Sequence, residues 1–188
     1  SQIINKLGDD RIGIIAYSGS AFPVLPITTD YSVAKMFLQS MNTSTISSQG
    51  TSIDQAIDLS TQYFDKKDKT RKLLVIISDG EDHSNEAEDA AEDAKDLGIK
   101  IITIGVGTEN GGRIPLKVNG ILEDYQKDKD GQIVVTKRNP EVLTNIAKAT
   151  SGNYIDGNNT KTVVDFITER LKNIDKNEFD NIRTANFQ

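Results

Sequence analysis

One aspartate, Asp79, closes the apolar run Leu73-Leu74-Val75-Ile76-Ile77-Ser78, and Gly80, Glu81, Asp82 and His83 come directly after it. A carboxylate at such a point is suited to holding a hard cation. The run itself reads as a strand buried on both faces, the pattern of a parallel sheet. In open α/β sheets ligands bind in the crevice beyond the carboxyl ends of the strands, which is where Asp79 falls. The plain alternative is a turn, since Ser-Asp-Gly is a common turn sequence and Asp often caps the next helix. The centrality of the strand and the acids crowded at its end favour a functional Asp79. Residues 79–96 hold nine acids against one base, Lys95. Most of that run is a solvated helix face, and only Asp79 has a chemically pointed position.

Thr51 follows Gly50 and opens a helical pattern, with Asp54 three residues on. A threonine hydroxyl is an oxygen ligand that Mg²⁺ accepts. Spacing alone, however, favours a capping pair formed by Thr51 and Asp54. His83 is the sole histidine. An imidazole after two acids is able to bind metal or to titrate near neutrality, but here it reads as a surface residue in the loop before a helix. A Ser-His-Asp hydrolase would need a nucleophile elbow, and no G-x-S-x-G occurs. Residues 126–133 approach a calcium loop, yet Gln126 and Lys137 stand where that loop needs acids, so the segment reads as a hairpin turn. Residues 105–110 miss the dinucleotide fingerprint, with Asn110 in place of its third glycine, and no G-x-x-x-x-G-K loop exists. Nucleotide enzymology is not indicated.

The elements that must position these residues follow from periodicity. Strands are expected at 11–17 and 99–106, and a short one at 152–155. Pro23 and Pro26 limit 21–27 to a short or edge strand. Helices are expected from Val33, Ala34, Phe37, Leu38 and Met41 behind a cap region at Asp30, and from Ile53, Ala56, Ile57, Ser60, Tyr63 and Phe64. Ala87, Ala90, Ala91, Ala94 and Leu97 make a third, whose small side chains imply close packing, stopped by Gly98. Val142, Leu143, Ile146 and Ala147 make a fourth, and Val163, Val164, Ile167, Leu171 and Ile174 a last one. Between them a hairpin is expected to pair 121–125 with 132–136 around Asp130-Gly131. Strands alternating with helices mean an α/β domain with a largely parallel sheet. The expected division is one domain over 1–176 and a tail over 177–188.

Composition narrows the class. The 188 residues suit one domain, and 36% apolar with 27% charged residues is ordinary for a soluble globular protein. A net charge of −6 without a basic, aromatic-interleaved cluster argues against nucleic acid. Without cysteine there are no disulfides or thiolate metal sites. No apolar run approaches the roughly 20 residues that span a bilayer, and no signal peptide is evident. Residues 1–7 read as the last turns of an amphipathic helix, so the chain is expected to be a soluble fragment cut upstream inside that helix.

The combination of Gly50-Thr51-Ser52-Ile53, the strand ending Ser78-Asp79-Gly80-Glu81-Asp82-His83, and Ile102-Thr103-Ile104-Gly105-Val106-Gly107 resembles a von Willebrand factor A domain. More narrowly it is similar to the Bat (aerotolerance-type) bacterial membrane proteins, a resemblance that extends to residues 7–16 and 19–31, Arg113-Ile114-Pro115-Leu116 and the hairpin at 130–135. It implies a doubly wound, three-layer α/β/α fold. It also implies a metal-ion-dependent adhesion site, MIDAS, in which Mg²⁺ or Mn²⁺ is held by a D-x-S-x-S motif, a threonine and an aspartate, with an open position for an acidic residue of a partner protein. By motif match Thr51 is the threonine and Asp79 the aspartate, with Asp82 and His83 as accessory candidates. The implied setting is a protein anchored in the bacterial inner membrane, beside other Bat proteins and a MoxR-type AAA+ ATPase.

This chain departs from the pattern because no D-x-S-x-S follows any strand; the first, central strand that carries it should precede Ser1. The two ligand positions that remain are too few to hold Mg²⁺ tightly against its hydration, so Mg²⁺ or Mn²⁺ is expected in the complete domain and weakly or not at all in this fragment. The strands at 12–16 and 73–77 then lose their shared neighbour. Three remedies are expected: direct pairing of the two, a strand from another chain, or residues beyond this sequence. The leading functional expectation is a non-enzymatic, metal-dependent protein-interaction domain. Its rivals are a Mg²⁺-dependent hydrolase using Glu81, Asp82 or His83 beside Asp79, and a scaffold whose metal site is degenerate.

Overall fold

The computed structural model describes residues 1–41, 50–64, 70–82, 86–118, 120–128 and 130–185, with the side chains of Lys117 and of 174–185 left aside. A 3-10 turn at Ile4–Lys6 leads into the antiparallel pair β1 (Ile12–Tyr17) and β2 (Ala21–Thr28). Helix α1 (Tyr31–Ser40) starts at the expected cap, where Asp30 Oδ1 accepts the backbone N–H groups of Ser32 and Val33, each at 3.0 Å. Two donors that a helix start leaves unpaired are thereby satisfied. Helix α2 (Ile53–Tyr63), β3 (Lys72–Ser78), α3 (Ala87–Asp96) and β4 (Ile99–Gly105) follow in turn. An arm of short strands comes next: β5 (Gly112–Arg113), β6 (Pro115–Val118), β7 (Ile121–Tyr125) and β8 (Val135–Thr136). Helix α4 (Pro140–Ala149), β9 (Asn153–Asp156) and α5 (Thr160–Ala185) complete the chain.

Strands β3, β4 and β9 form a parallel sheet in that order, with Val75 opposite Ile102 and Ile104 opposite Ile155. Strand β4 is buried on both faces, which is why it reads as a continuous apolar run. Ile99 and Ile101 face α2, α3 and α4, in a core with Ile53, Ile57, Leu143 and Ile146. Ile102 and Ile104 face α5 on the other side, against Val163 and Ile167. The α/β/α layering expected from the sequence is present. All four alanines of α3 that recur at helical spacing are buried, so this helix lies close to its neighbours.

Strand β2 is an edge strand, as its prolines imply: it runs over eight residues and is paired on one side only, with register shifts beside Ile14. One detail differs from expectation. Residues 121–125 pair with 115–118, not with 132–136. Gly120, at φ +82, lies just before β7 in the connection of this hairpin. The turn at Asp130-Gly131 does form, joining Lys127 to Ile133 by an isolated bridge. The helical backbone of α5 runs on through Ala185.

The sheet is divided. Among the described residues β1 and β3 share no ladder: β1 pairs only with β2, and β3 only with β4. Direct pairing is therefore not how the gap is handled. Side chains cross it instead. Arg11, just before β1, donates to Thr70 Oγ1 before β3 at 3.2 Å. At the other end the Tyr17 hydroxyl donates to the Ile77 carbonyl at 3.0 Å. The two links show that β1 and β3 run in the same direction, and that they stand apart by more than the roughly 4.8 Å of neighbouring strands. Between them lies a cavity of about 1340 Å³ walled by Ile12, Ile14, Leu73, Val75 and Ile77. Ile77 is 55% exposed for that reason, although it sits inside a strand.

Candidate metal centre

The carboxyl ends of β1 and β3 open onto one end of this cavity, and both Thr51 and Asp79 line it, together with Ser18, Gly50, Ser78 and Val106. Gly50 turns the chain into position with φ +116, a conformation that suits glycine. Ser52 then fastens the segment to the end of β1: its N–H donates to the Ser18 carbonyl at 2.7 Å and its hydroxyl to the Gly19 carbonyl at 3.2 Å. The capping expectation for Thr51 is corrected here. The N-cap of α2 is Ser52, which makes no side-chain capping bond because its hydroxyl is turned to Gly19. Thr51 lies one residue before that cap, half-buried at the cavity wall.

Asp79 is held from three directions. Its Oδ1 accepts the Glu81 N–H at 3.2 Å, and its Oδ2 lies 3.5 Å from the Thr136 hydroxyl that donates to it. Its carbonyl accepts the Asn139 N–H at 2.7 Å. Lys137 N–H donates to Glu81 Oε1 at 3.0 Å. Gly80, at φ +79, packs so closely on the Asn139 carbonyl that a Cβ would collide with it. The segment after the arm thus clasps the end of β3. Beneath it, burial pushes the Tyr17 phenol up to about 12, with the Asp79 carboxylate adding to the rise and a hydrogen bond to Ser78 opposing it.

Asp82 is half-buried in the loop behind Asp79. His83 lies outside the described residues. Among those residues no group of three or more His, Cys, Asp or Glu side chains is gathered tightly enough to bind a metal. The candidate donors on the cavity wall are the Asp79 carboxylate and the Thr51 hydroxyl. They fit a hard cation in kind, and Mg²⁺ bound through one or two protein oxygens keeps several waters. In number they make only part of a coordination shell.

Sequence reasoning missed Arg138. Its side chain is 6% exposed and bridges Asp156 at 2.8 Å and Glu109 at 2.7 Å. Those hydrogen bonds raise the guanidinium above its ordinary value, and Arg138 in return holds Asp156 below the usual carboxylate range. Nothing in the local spacing around Arg138 signals this, since its partners are far away in the chain.

The von Willebrand factor type A domain model matches residues 1–149. The chain is similar to the crystal structure of BatB from Bacteroides thetaiotaomicron, with 37% identity and a TM-score of 0.87 over 93% of this chain and 84% of that one. It is also similar to an aerotolerance-related membrane protein from Bacteroides fragilis, with 35% identity, a TM-score of 0.83 and the same coverage. Proximal thread matrix protein 1 of the mussel byssus, in a structure with a zinc-occupied MIDAS motif, shares the fold alone, at 11% identity and a TM-score of 0.65 over 90% of this chain and 38% of that one. An uncharacterized protein of Borreliella burgdorferi is 24% identical over 117 residues, and the match spans about a third (34%) of its length. Among the described residues no helix is long and apolar enough to cross a membrane. A divided parallel sheet, a hydroxyl and a carboxylate at its carboxyl end, and these likenesses lead to one conclusion: the chain belongs to the von Willebrand factor type A domain family, in its Bat, aerotolerance-related branch.

Proposed function

We propose that this chain is a non-enzymatic protein-interaction domain in which Thr51 and Asp79 contribute to a divalent-cation site for Mg²⁺ or Mn²⁺. The open side of that site takes an acidic residue of a partner protein. What supports the reading is that Thr51 and Asp79 both line the cavity between β1 and β3, with Ser52 and not Thr51 at the N-cap of α2. Asp82 and His83 are accessory candidates. The interacting unit is 1–176, with 177–188 as a tail. The parent protein is anchored in the inner membrane, and its partners are other Bat proteins and a MoxR-type AAA+ ATPase.

The arm supports a protein-binding role independently of the metal. Leu116, Val118, Ile121, Leu122, Ile133 and Val135 are all exposed there, a concentration of apolar side chains that soluble surfaces rarely carry without a partner. Titration calorimetry with Mg²⁺ and Mn²⁺, on this chain and on one extended upstream, tests the site. The expected result is heat from the extended chain that Asp79→Ala abolishes, and weak heat or none from this chain. Heat that survives the substitution would remove Asp79 from the site, and no heat from either chain would leave a scaffold. Turnover of a phosphoester or peptide that depends on Asp82 or His83 would overturn the non-enzymatic reading.

A further inference from the structure

We infer that Arg138 is the positioning residue of the strand-end site, a buried guanidinium clasp that sets Asp79 and Glu81 through the residues on either side of it. The inference rests on the metal-site reading for its function, but its geometry stands apart from any metal. Thr136, Lys137 and Asn139 each make a hydrogen bond to Asp79 or Glu81. Arg138, between them, points the other way, into the space at the ends of β4 and β9. There Nη2 meets Glu109 at 2.7 Å, Nη1 meets Asp156 at 2.8 Å, and Nη1 also donates to the Gly105 carbonyl at 3.4 Å. The Arg138 N–H donates to the Thr108 carbonyl at 2.9 Å. Gly105 has no room for a side chain, since a Cβ would come within 3.1 Å of Arg138 Cδ and 2.7 Å of the Tyr154 hydroxyl.

A guanidinium is costly to bury, and this one is buried with its Nε hydrogen unpaired among the described residues. Its two carboxylate partners are 60% and 54% exposed, so solvent screens much of the attraction. An arginine held on those terms does little for net stability compared with an apolar residue of similar size. Direction is what it contributes. Two charged contacts from one rigid fork fix the backbone of 136–139 in place, and lysine, a single point charge, cannot reproduce both. The chain between β8 and α4 therefore reaches Asp79 and Glu81 in one register. The arm, whose last strand ends at Thr136, is fixed relative to the site by the same residue.

The test is amide hydrogen exchange by NMR on the ¹⁵N-labelled chain, paired with titration by Mn²⁺ alone. Native protein is compared with Arg138→Met, Arg138→Lys and the double variant Glu109→Gln/Asp156→Asn. In Arg138→Met the Lys137, Asn139 and Glu81 amides exchange faster by about tenfold or more, while the β3–β4 ladder keeps its protection. Arg138→Lys falls between the two, and the double variant reproduces Arg138→Met. Mn²⁺ broadening at Asp79 requires about tenfold more metal in Arg138→Met than in the native chain, the same coupling read at the site. Native exchange rates at Lys137 and Asn139 in Arg138→Met would overturn the inference. So would faster exchange spread evenly over β3 and β4, the mark of a residue that merely stabilises the fold. If Mn²⁺ broadens nothing in the native chain, the metal reading falls and the exchange pattern alone decides for or against Arg138.

Discussion

Gly80→Ala is the substitution that most directly loads the contact between the end of β3 and the segment before α4. Two costs are separable. Gly80 has φ +79, where an L-residue is disfavoured by about 1–2 kcal/mol. Its new Cβ would also collide with the Asn139 carbonyl oxygen and lie 3.0 Å from Leu143 Cγ. Relief requires residues 136–139 to move off, which loosens the Asn139–Asp79 and Lys137–Glu81 hydrogen bonds. Each contributes about 0.5–1.5 kcal/mol, more where the acceptor is charged. Gly98→Ala is the control, because Gly98 has φ +75 and nothing within 4 Å of a built Cβ. Both variants suffer the backbone cost and only Gly80→Ala the collision. Gly80→Ala is therefore expected to be less stable than Gly98→Ala by about 2–4 kcal/mol, or about 5–15 °C in Tm for a chain of this size. Thermal and urea denaturation of the two side by side measure it. Equal losses would refute the claim that the strand end rests on Asn139.

Three further outcomes are expected. Thr51→Ala should change urea stability by less than about 0.5 kcal/mol while removing the Mg²⁺ heat of the extended chain; a loss near 1 kcal/mol would restore the capping role. Tyr17→Phe should cost about 0.5–1.5 kcal/mol by deleting the link to the Ile77 carbonyl. Because the folded phenol ionises near 12 and the unfolded one near 10.0, native stability should fall as pH rises through that window, and urea midpoints of Tyr17→Phe should lack that slope. Asp58, raised by burial and then by Asp54 and Asp93, is a carboxylate held against its preference, so its protonation as pH falls adds stability. Asp58→Asn should accordingly stabilise the chain at neutral pH by a few tenths of a kcal/mol, roughly 0.3–0.5; a shift of the urea midpoint in the opposite direction would contradict this.

The parts of the fold that were legible are those that local physics dictates. β4 is apolar on both faces because both faces are covered, Asp30 caps α1 with its own carboxylate, and α3 shows its packing face as alanines. What was not legible depends on partners distant in the chain. The turn at Asp130-Gly131 was legible, but which strand pairs with 121–125 was not: it pairs with 115–118, while the turn joins Lys127 to Ile133. Thr51 looked like a cap because Thr51 and Asp54 have the right spacing, whereas the decisive contact of its neighbour Ser52 is to Gly19. Arg138 is bound to Glu109 and Asp156, which no periodicity connects.

The gap between β1 and β3 also determines how the molecule comes apart. Strands β1 and β2 and helix α1 share a core of Ile4, Ile14, Leu25 and Ala34, distinct from the two cores around β3 and β4. Opening that block breaks no backbone ladder of the parallel sheet; it releases side-chain links such as Arg11–Thr70, Tyr17–Ile77 and the Tyr63 hydroxyl on the Ile14 carbonyl. Helix α2 still ties the block to the rest through the Ser52 N–H on the Ser18 carbonyl, so partial opening is expected to start at the gap and to cost less than global unfolding. Amide exchange is therefore expected to be faster in β1 than in β4, and equal protection of the two strands would contradict this.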